Sequence, residues 1–507
     1  MPWPNSRPAI PKRRAASSPR WPTIRWCRPA CVAAPPSCWP RSAVRSSKTT
    51  HRGSSMIGQV TIRTKQRLAI LAVVALGLAG CETIGSWFDN EQKIEATGER
   101  ISVLAFDSQL DPDPQLAETP VALPKPWRNP DWPQAGGYPG HAMQHLELGD
   151  KLRTAWTADL GEEADEEQKI LAQPVIAGGR VFAMDAAAHI SAFDAKTGKR
   201  LWRVDLTPRR EESGATGGGL AWHADRLFVA TGYGDVVALE PSTGRAYWAT
   251  QLKQPIRGAP TADAGRVFVI TQDNQIHALD IERGAELWTH AGIAEPAGFL
   301  GAANPAVEGN TVVAPYSSGE ILALRADTGT VAWGEQLVRA SGRFSQAGAL
   351  NDINGRPVID RGRVYAVSQS GRFVALDLRT GERIWERVIP SIQTPWIAGD
   401  FIYAITIDSE ILCLSRRDGK VKWIRQLRRY LDPKARTNKG VITWWGPVLA
   451  GDRLLVASSD ERMLAISPYT GDLIGAMELS DKAALQPVVA DGTVYIVTED
   501  AQLTALR

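Results

Sequence analysis

His141 and His145, in the stretch HAMQH, stand four residues apart, the spacing at which a helix presents two imidazoles to one metal ion. Their surroundings argue against that chemistry. Pro139 and Gly140 interrupt a helix just ahead, and the glutamate of a hydrolytic zinc motif is missing, so a surface loop is the expectation. Cys27 and Cys31 have a spacing that could begin a zinc site, but no second ligand pair follows. The run GATGGGL, Gly214 to Leu220, has the glycines of a phosphate loop without its Lys-Ser/Thr ending, and reads as a loop. Asp273, Asp408 and Asp460 fall in turn-like stretches, where aspartate serves the backbone.

What recurs instead is a twelve-residue pattern with no chemistry in it. VALDLRTGERIW, Val374 to Trp385, returns as SAFDAKTGKRLW ending at Trp202, VALEPSTGRAYW at Trp248, HALDIERGAELW at Trp288, LALRADTGTVAW at Trp333 and LCLSRRDGKVKW at Trp423. Aligned on its alanine position, the pattern has eight copies, the sixth carrying Cys413 in that slot and the last being Ala505. A Thr-Gly or equivalent step between two alternating apolar runs is a tight hairpin turn, because glycine supplies the positive φ. Upstream, seven of the eight copies open a second hairpin with a proline (Pro174, Pro260, Pro305, Pro357, Pro395, Pro447 and Pro487), while the second copy has Leu220. Proline is tolerated where a strand begins. Two hairpins per copy make four strands, the composition of a propeller blade.

The fold class expected is therefore all-β: an eight-bladed β-propeller of four-stranded antiparallel blades over residues 151–507. The eighth copy ends one strand short at Arg507, and KLRTAWTADL, Lys151 to Leu160, carries Trp156 in the outer-strand pattern with no hairpin before it. That segment is expected to complete the last blade and close the ring, leaving no open strand edge. The recurrent tryptophans are expected between neighbouring blades, with Gly475 standing in the seventh copy where the others have Trp. Cys413 reads as a small buried residue.

The first eighty residues are of a different kind. Residues 1–55 carry eleven Lys or Arg and no acid; a basic stretch with Arg63, Lys65 and Arg67 then leads into the thirteen-residue apolar run LAILAVVALGLAG and Cys81. The run is shorter than the roughly 20 residues a spanning helix needs, and reads as a signal-peptide core. The ending Leu78-Ala79-Gly80-Cys81 resembles the lipobox of bacterial lipoproteins, which implies acylation of Cys81 and removal of what precedes it; Glu82 after it implies the outer membrane. The expected organisation is a non-native extension over 1–55, a lipoprotein signal peptide over 56–80, and a lipidated tether with a Pro-rich lead-in over 81–150. Removing the fourteen basic residues of 1–80 from the total of 58 leaves 44 against 55 acids, a net charge of about −11 that argues against a nucleic-acid surface. With Cys81 as lipid site, Cys413 is then alone, which leaves no structural disulfide.

The element A-[LF]-[DE]-x-x-T-G-x-x-x-W resembles the PQQ-like repeat that quinoprotein dehydrogenases share with the BamB family of propeller lipoproteins. The dehydrogenase branch implies pyrroloquinoline quinone held against an adjacent cysteine pair, with calcium and a catalytic aspartate; this sequence has no adjacent cysteines after residue 80 and no C-x-x-C-H haem motif. The BamB branch implies a scaffold with no catalytic, metal or cofactor residues. Its partners would be BamA, through the POTRA domains, other components of the outer-membrane β-barrel assembly (BAM) complex, and unfolded outer-membrane protein clients. A quinone-dependent dehydrogenase, or another envelope scaffold, is the alternative.

Loop length marks where such a partner would bind. Four connections from one blade to the next are long: Arg203 to Gly219, Thr289 to Asn304, Gly334 to Arg356 and Ile424 to Gly446. Long loops on a rigid scaffold are where binding residues concentrate. By the resemblance, Phe299, Leu300, Asp352 and Asn354 fall at partner-contacting positions, with Leu300 where a basic residue is usual and Asn354 where a second acid is. Because a signal peptide belongs near the start of translation, Met56 is the expected first residue. Mass spectrometry of the native protein should then find no peptide from residues 1–55, and one containing Trp21 or Trp26 would overturn that reading.

Overall fold

The repeated hairpins become sheets in a computed structural model that describes residues 110–507, apart from 117, 209–214, 296–300, 302, 339–351 and 433–439. The described strands, β1 (Thr154–Asp159) to β32 (Gln502–Leu506), form eight four-stranded antiparallel sheets. Seven sheets are built from consecutive strands, as in the first blade: β2 (Val175–Ala177), β3 (Arg180–Met184), β4 (His189–Asp194) and β5 (Arg200–Asp205). The eighth takes its outer strand from the other end of the propeller. β1 pairs with β32 from Thr154 opposite Leu506 to Asp159 opposite Gln502, so the ring closes as the sequence implies.

Burial explains the two hydrophobic patterns. Middle strands such as β3 are buried almost throughout, because neighbouring blades cover both of their faces. Outer strands such as β5 alternate, with every second side chain open to solvent. Six of the inner strands are three residues long, each just after its proline; where the second copy has no proline the inner strand runs six residues, Gly218–His223, and in the seventh it runs through Pro447, Trp444–Ala450.

Each blade is fastened to the next by one repeated contact. The outer-strand tryptophan lies against the turn glycine of the following blade, and its indole N–H donates to a carbonyl of that turn. Trp333 does so to Leu378 O at 2.8 Å and Trp385 to Arg416 O at 3.0 Å. Trp156 of the closing strand donates to Ala195 O at 3.1 Å, which carries the pattern across the seam into the first blade. A Cβ on Gly381 would sit 2.6 Å from the Trp333 ring, and its φ of +72° is a conformation that side chains resist. The eighth blade has no such turn, because its outer strand β1 and the neighbouring β32 are not consecutive strands; the seventh blade correspondingly carries Gly475 in the tryptophan position.

The Pro-rich lead-in is where the structure departs from the expectation. Rather than forming a tether up to Asp150, residues 127–147 run as a belt around the axis and bond to all eight blades in turn. Asp491 N–H donates to Asn129 O at 2.7 Å in the eighth blade, and Trp132 exchanges both backbone bonds with Ile176 in the first. Trp222 N–H donates to Pro133 O in the second blade, and the Gln134 amide exchanges two bonds with Ala262 in the third. Pro139 O and Gly140 O accept from Val307 and Ile359 in the fourth and fifth, and Gln144 O accepts from the Trp396 indole in the sixth. Leu146 bonds to the seventh, and the belt closes on itself where Trp127 N–H donates to His145 O. An irregular chain this deeply buried must find partners for its backbone groups, and the ends of the inner strands supply them. Gly137, at φ +100°, lets Met143 pack within 2.1 Å of where a Cβ would stand.

Trp333→Ala is expected to destabilise the protein by about 3–5 kcal/mol, since the ring is 8% exposed between two blades. Gly381→Ala should lower the urea midpoint too. Because the two changes break one contact, the double variant should fall short of their sum; full additivity would show that the interlock is not a unit.

Candidate functional site at the axial funnel and its loop face

The belt stops one end of the axial channel and leaves a funnel open at the other, where the blade-to-blade connections lie. The cavity holds about 290 Å³ and has Ala135 of the belt at its floor. Five of its wall residues, Gln173, Ala259, Arg356, Thr394 and Gln486, stand just before a blade-opening proline, and Gly218 stands two before Leu220. The repeat thus brings this position to the funnel in five of the eight blades, and the folding pattern leaves its residue type free to vary.

Beneath the wall runs a polar network. Arg356 donates through Nε to Asn304 Oδ1 at 2.7 Å, and Asn304 Nδ2 donates to His141 Nε2 at 3.0 Å. His141 Nδ1 in turn lies 2.7 Å from Pro357 O. A neutral ring with its proton on Nδ1 satisfies both contacts, and burial, with Arg356 adding repulsion, pushes its pKa from 6.5 down to about 3. Burial likewise lowers Arg356 to about 10. Across the funnel Arg257 reaches Asp352 at 2.9 Å and Gly301 O at 3.1 Å, joining the connections that lead into the third, fourth and fifth blades.

The model of the family "Outer membrane protein assembly factor BamB" matches residues 152–213, 186–425 and 430–507, more than half of the chain and both ends of the propeller. The chain belongs to the BamB family. Among relatives of that name, the one from Yersinia pestis is 27% identical over 355 residues, covering 68% of this chain and 88% of its own. The one from Moranella endobia is 23% identical over 341 residues, covering 66% and 84%. The crystal structure of BamB from Moraxella catarrhalis superposes with a TM-score of 0.59 at 22% identity, over 70% of this chain and all of that one. A quinohemoprotein alcohol dehydrogenase from Comamonas testosteroni gives 0.57 at 15% identity, over 75% and 81%. At such identities the two structures speak to the fold alone.

Of the residues singled out from the sequence, Cys81, Phe299 and Leu300 lie outside the described residues. Asp352 is 2% exposed and turned inward to Arg257, not presented at a solvent-facing rim as expected of a partner-contacting acid. The physical reason is the cation, which makes a buried carboxylate tolerable. Asn354 lines the funnel, and its Oδ1 has no hydrogen-bond partner. His141 and His145 both lie in the belt, but as separate buried struts, 4% and 1% exposed, and not in the surface loop expected, because the belt packs beneath the inner strands. His145 Nδ1 is 2.8 Å from Pro124 O, and its Nε2 accepts from Asp452 N–H at 3.1 Å. Among the described residues no group of three or more His, Cys, Asp or Glu is placed to hold a metal. The thiol of Cys413 is fully buried, and burial pushes its pKa well up. Arg257, Arg356 and Gln173 were missed, although their place just before or near a blade-opening proline was a signal available in the repeat.

The lowered His141 pKa has a consequence for stability. Above about pH 6.5 folded and unfolded chains both hold it neutral; below that the unfolded chain takes up a proton that the folded one refuses, so stability falls from pH 6.5 down to about 3. His141→Gln is expected to flatten that decline by up to about 1.4 kcal/mol per pH unit, measured by urea unfolding across the range. Parallel profiles would show that the imidazole is not the group concerned.

Proposed function

We propose that this chain is a non-catalytic scaffold of the outer-membrane β-barrel assembly machinery, docking BamA through the face that carries its long connections. Acyl chains on Cys81 would hold it to the periplasmic face of the outer membrane, and unfolded barrel proteins would be its clients. The observation that carries the reading is the family match over the whole ring. The relatives' name supports the assembly role; the choice of face rests on loop length and on apolar exposure. Ile293 is 54% exposed in the connection to the fourth blade. In the connection to the seventh, Tyr430 pairs with Val441 in an antiparallel bridge, and Leu431 and Val441 are about half exposed. Exposed aliphatic groups on a polar face suit an interface core. Around the funnel, two arginines and an acid already paired with one of them do not suit calcium, which takes several oxygen ligands.

Phe299 and Leu300, outside the described residues, are proposed for the docking surface because they follow Ile293 in the sequence of the same connection. Asp352 serves it by position, since its bond to Arg257 ties the connection entering the fifth blade to the one entering the third. Replacing Phe299 and Leu300 together by Ala is expected to weaken BamA binding about thirtyfold or more, at an unchanged melting transition. Leu431→Ser with Val441→Ser tests the second connection in the same assay. If both double variants bind BamA as wild type while folded, this face is not the docking surface.

A further inference from the structure

The axial funnel carries polar groups that neither the closure of the ring nor the proposed docking uses. Gln173 is 2% exposed, and its Oε1 accepts from Gly136 N–H at 2.7 Å and the Trp132 indole at 3.4 Å. Two N–H donors on one atom identify that atom as the oxygen. The Nε2 donor is therefore the end left without a partner, at the cavity wall. Leaving a buried amide donor unmatched is costly, so this one, placed at a cavity wall, calls for a water or a ligand acceptor in the cavity.

Arg356 converges on the same spot from the opposite side of the ring. Its guanidinium bonds to the neutral oxygens of Asn304 and Thr394, and among the described residues no carboxylate is paired with it. Gly136 is what lets the two approach: a Cβ there would stand 3.1 Å from the Arg356 side chain, and its φ of +85° excludes most other residues. Arg257, by contrast, already has Asp352. The wall also carries polar side chains, Asn354, Gln393, Thr394 and Gln486 among them, but Leu171, Trp445 and Leu485 line it on the first, seventh and eighth blades, the side of the ring from which Gln173 comes.

We infer that the funnel binds an organic carboxylate, with the anionic head between Arg356 and the Gln173 amide and an apolar body against Leu171, Trp445 and Leu485. A planar carboxylate matches one guanidinium and one amide donor in number and charge, whereas a phosphate dianion would leave acceptors unmet. The cavity, at about 290 Å³, admits a small acid or the last residue of a peptide. Burial of Arg356, which weakens its hold on its proton, fits a cation awaiting an anion. This inference is independent of the docking proposal, which concerns the outer surface of the connections.

Isothermal titration of the purified protein tests it, with three probes: isocaproate, the tripeptide Ala-Ala-Leu, and that tripeptide as its C-terminal amide. The free acids should bind at least about tenfold more tightly than the amide. Binding of both acids makes a small molecule sufficient; binding of the peptide alone assigns the carboxylate to a chain terminus. Gln173→Glu keeps the oxygen that Gly136 and Trp132 require and places a negative charge where the amide donor stood, so it should abolish acid binding without changing the melting transition. Arg356→Gln should weaken it at least about tenfold. No binding by either acid, equal binding of the amide, or full affinity in a folded Gln173→Glu protein would each overturn the inference.

Discussion

Everything in the propeller depends on a tryptophan resting on a glycine one blade away. Sheets packed face to face have no strong register of their own, because apolar burial is non-directional. The interlock supplies direction: the ring needs a turn with no Cβ beneath it, and the indole N–H needs the carbonyl of that same turn. A blade is therefore positioned by its predecessor at one defined point. Tyrosine or phenylalanine of the second strand backs six of these seven rings, as Tyr365 does Trp385 at 6.1 Å, so those indoles are held from both sides. The exception follows the same logic. At the last junction no turn glycine exists, so a tryptophan would have nothing to meet, and Gly475 stands there.

This also explains which parts of the structure were legible in the sequence. A contact repeated seven times leaves a periodic trace, and from that trace the blade count, the strand count, the closing strand and the role of Cys413 could all be read. The belt leaves no such trace. Each of its bonds is made once, by a different residue with a different blade, and most of them use only backbone atoms. HAMQH looked like a loop because nothing in five residues says that His141 lies beneath Arg356 or that His145 accepts from Asp452. The funnel sits between these cases. Its position in the repeat is periodic, but its residue types are not, so nothing in the pattern set Gln173 and Arg356 apart.

Periodicity and function are separated along the axis for the same reason. Residues that fasten blades must be alike from copy to copy, and they occupy the outer strands and the turns at the belt end. At the opposite end each connection joins two blades without having to resemble the others, and there the chain is free to lengthen loops and to vary the residue before each opening proline. The belt makes the division complete. By bonding to all eight inner strands it stops the channel, so the axial side chains face one opening and no through-passage remains. Asp352 shows how the free end is still constrained: one buried ion pair with Arg257 ties together connections two blades apart. Breaking a buried pair by removing one partner leaves a charge without compensation, so this contact fixes the spacing of the loops whatever their outer surfaces carry.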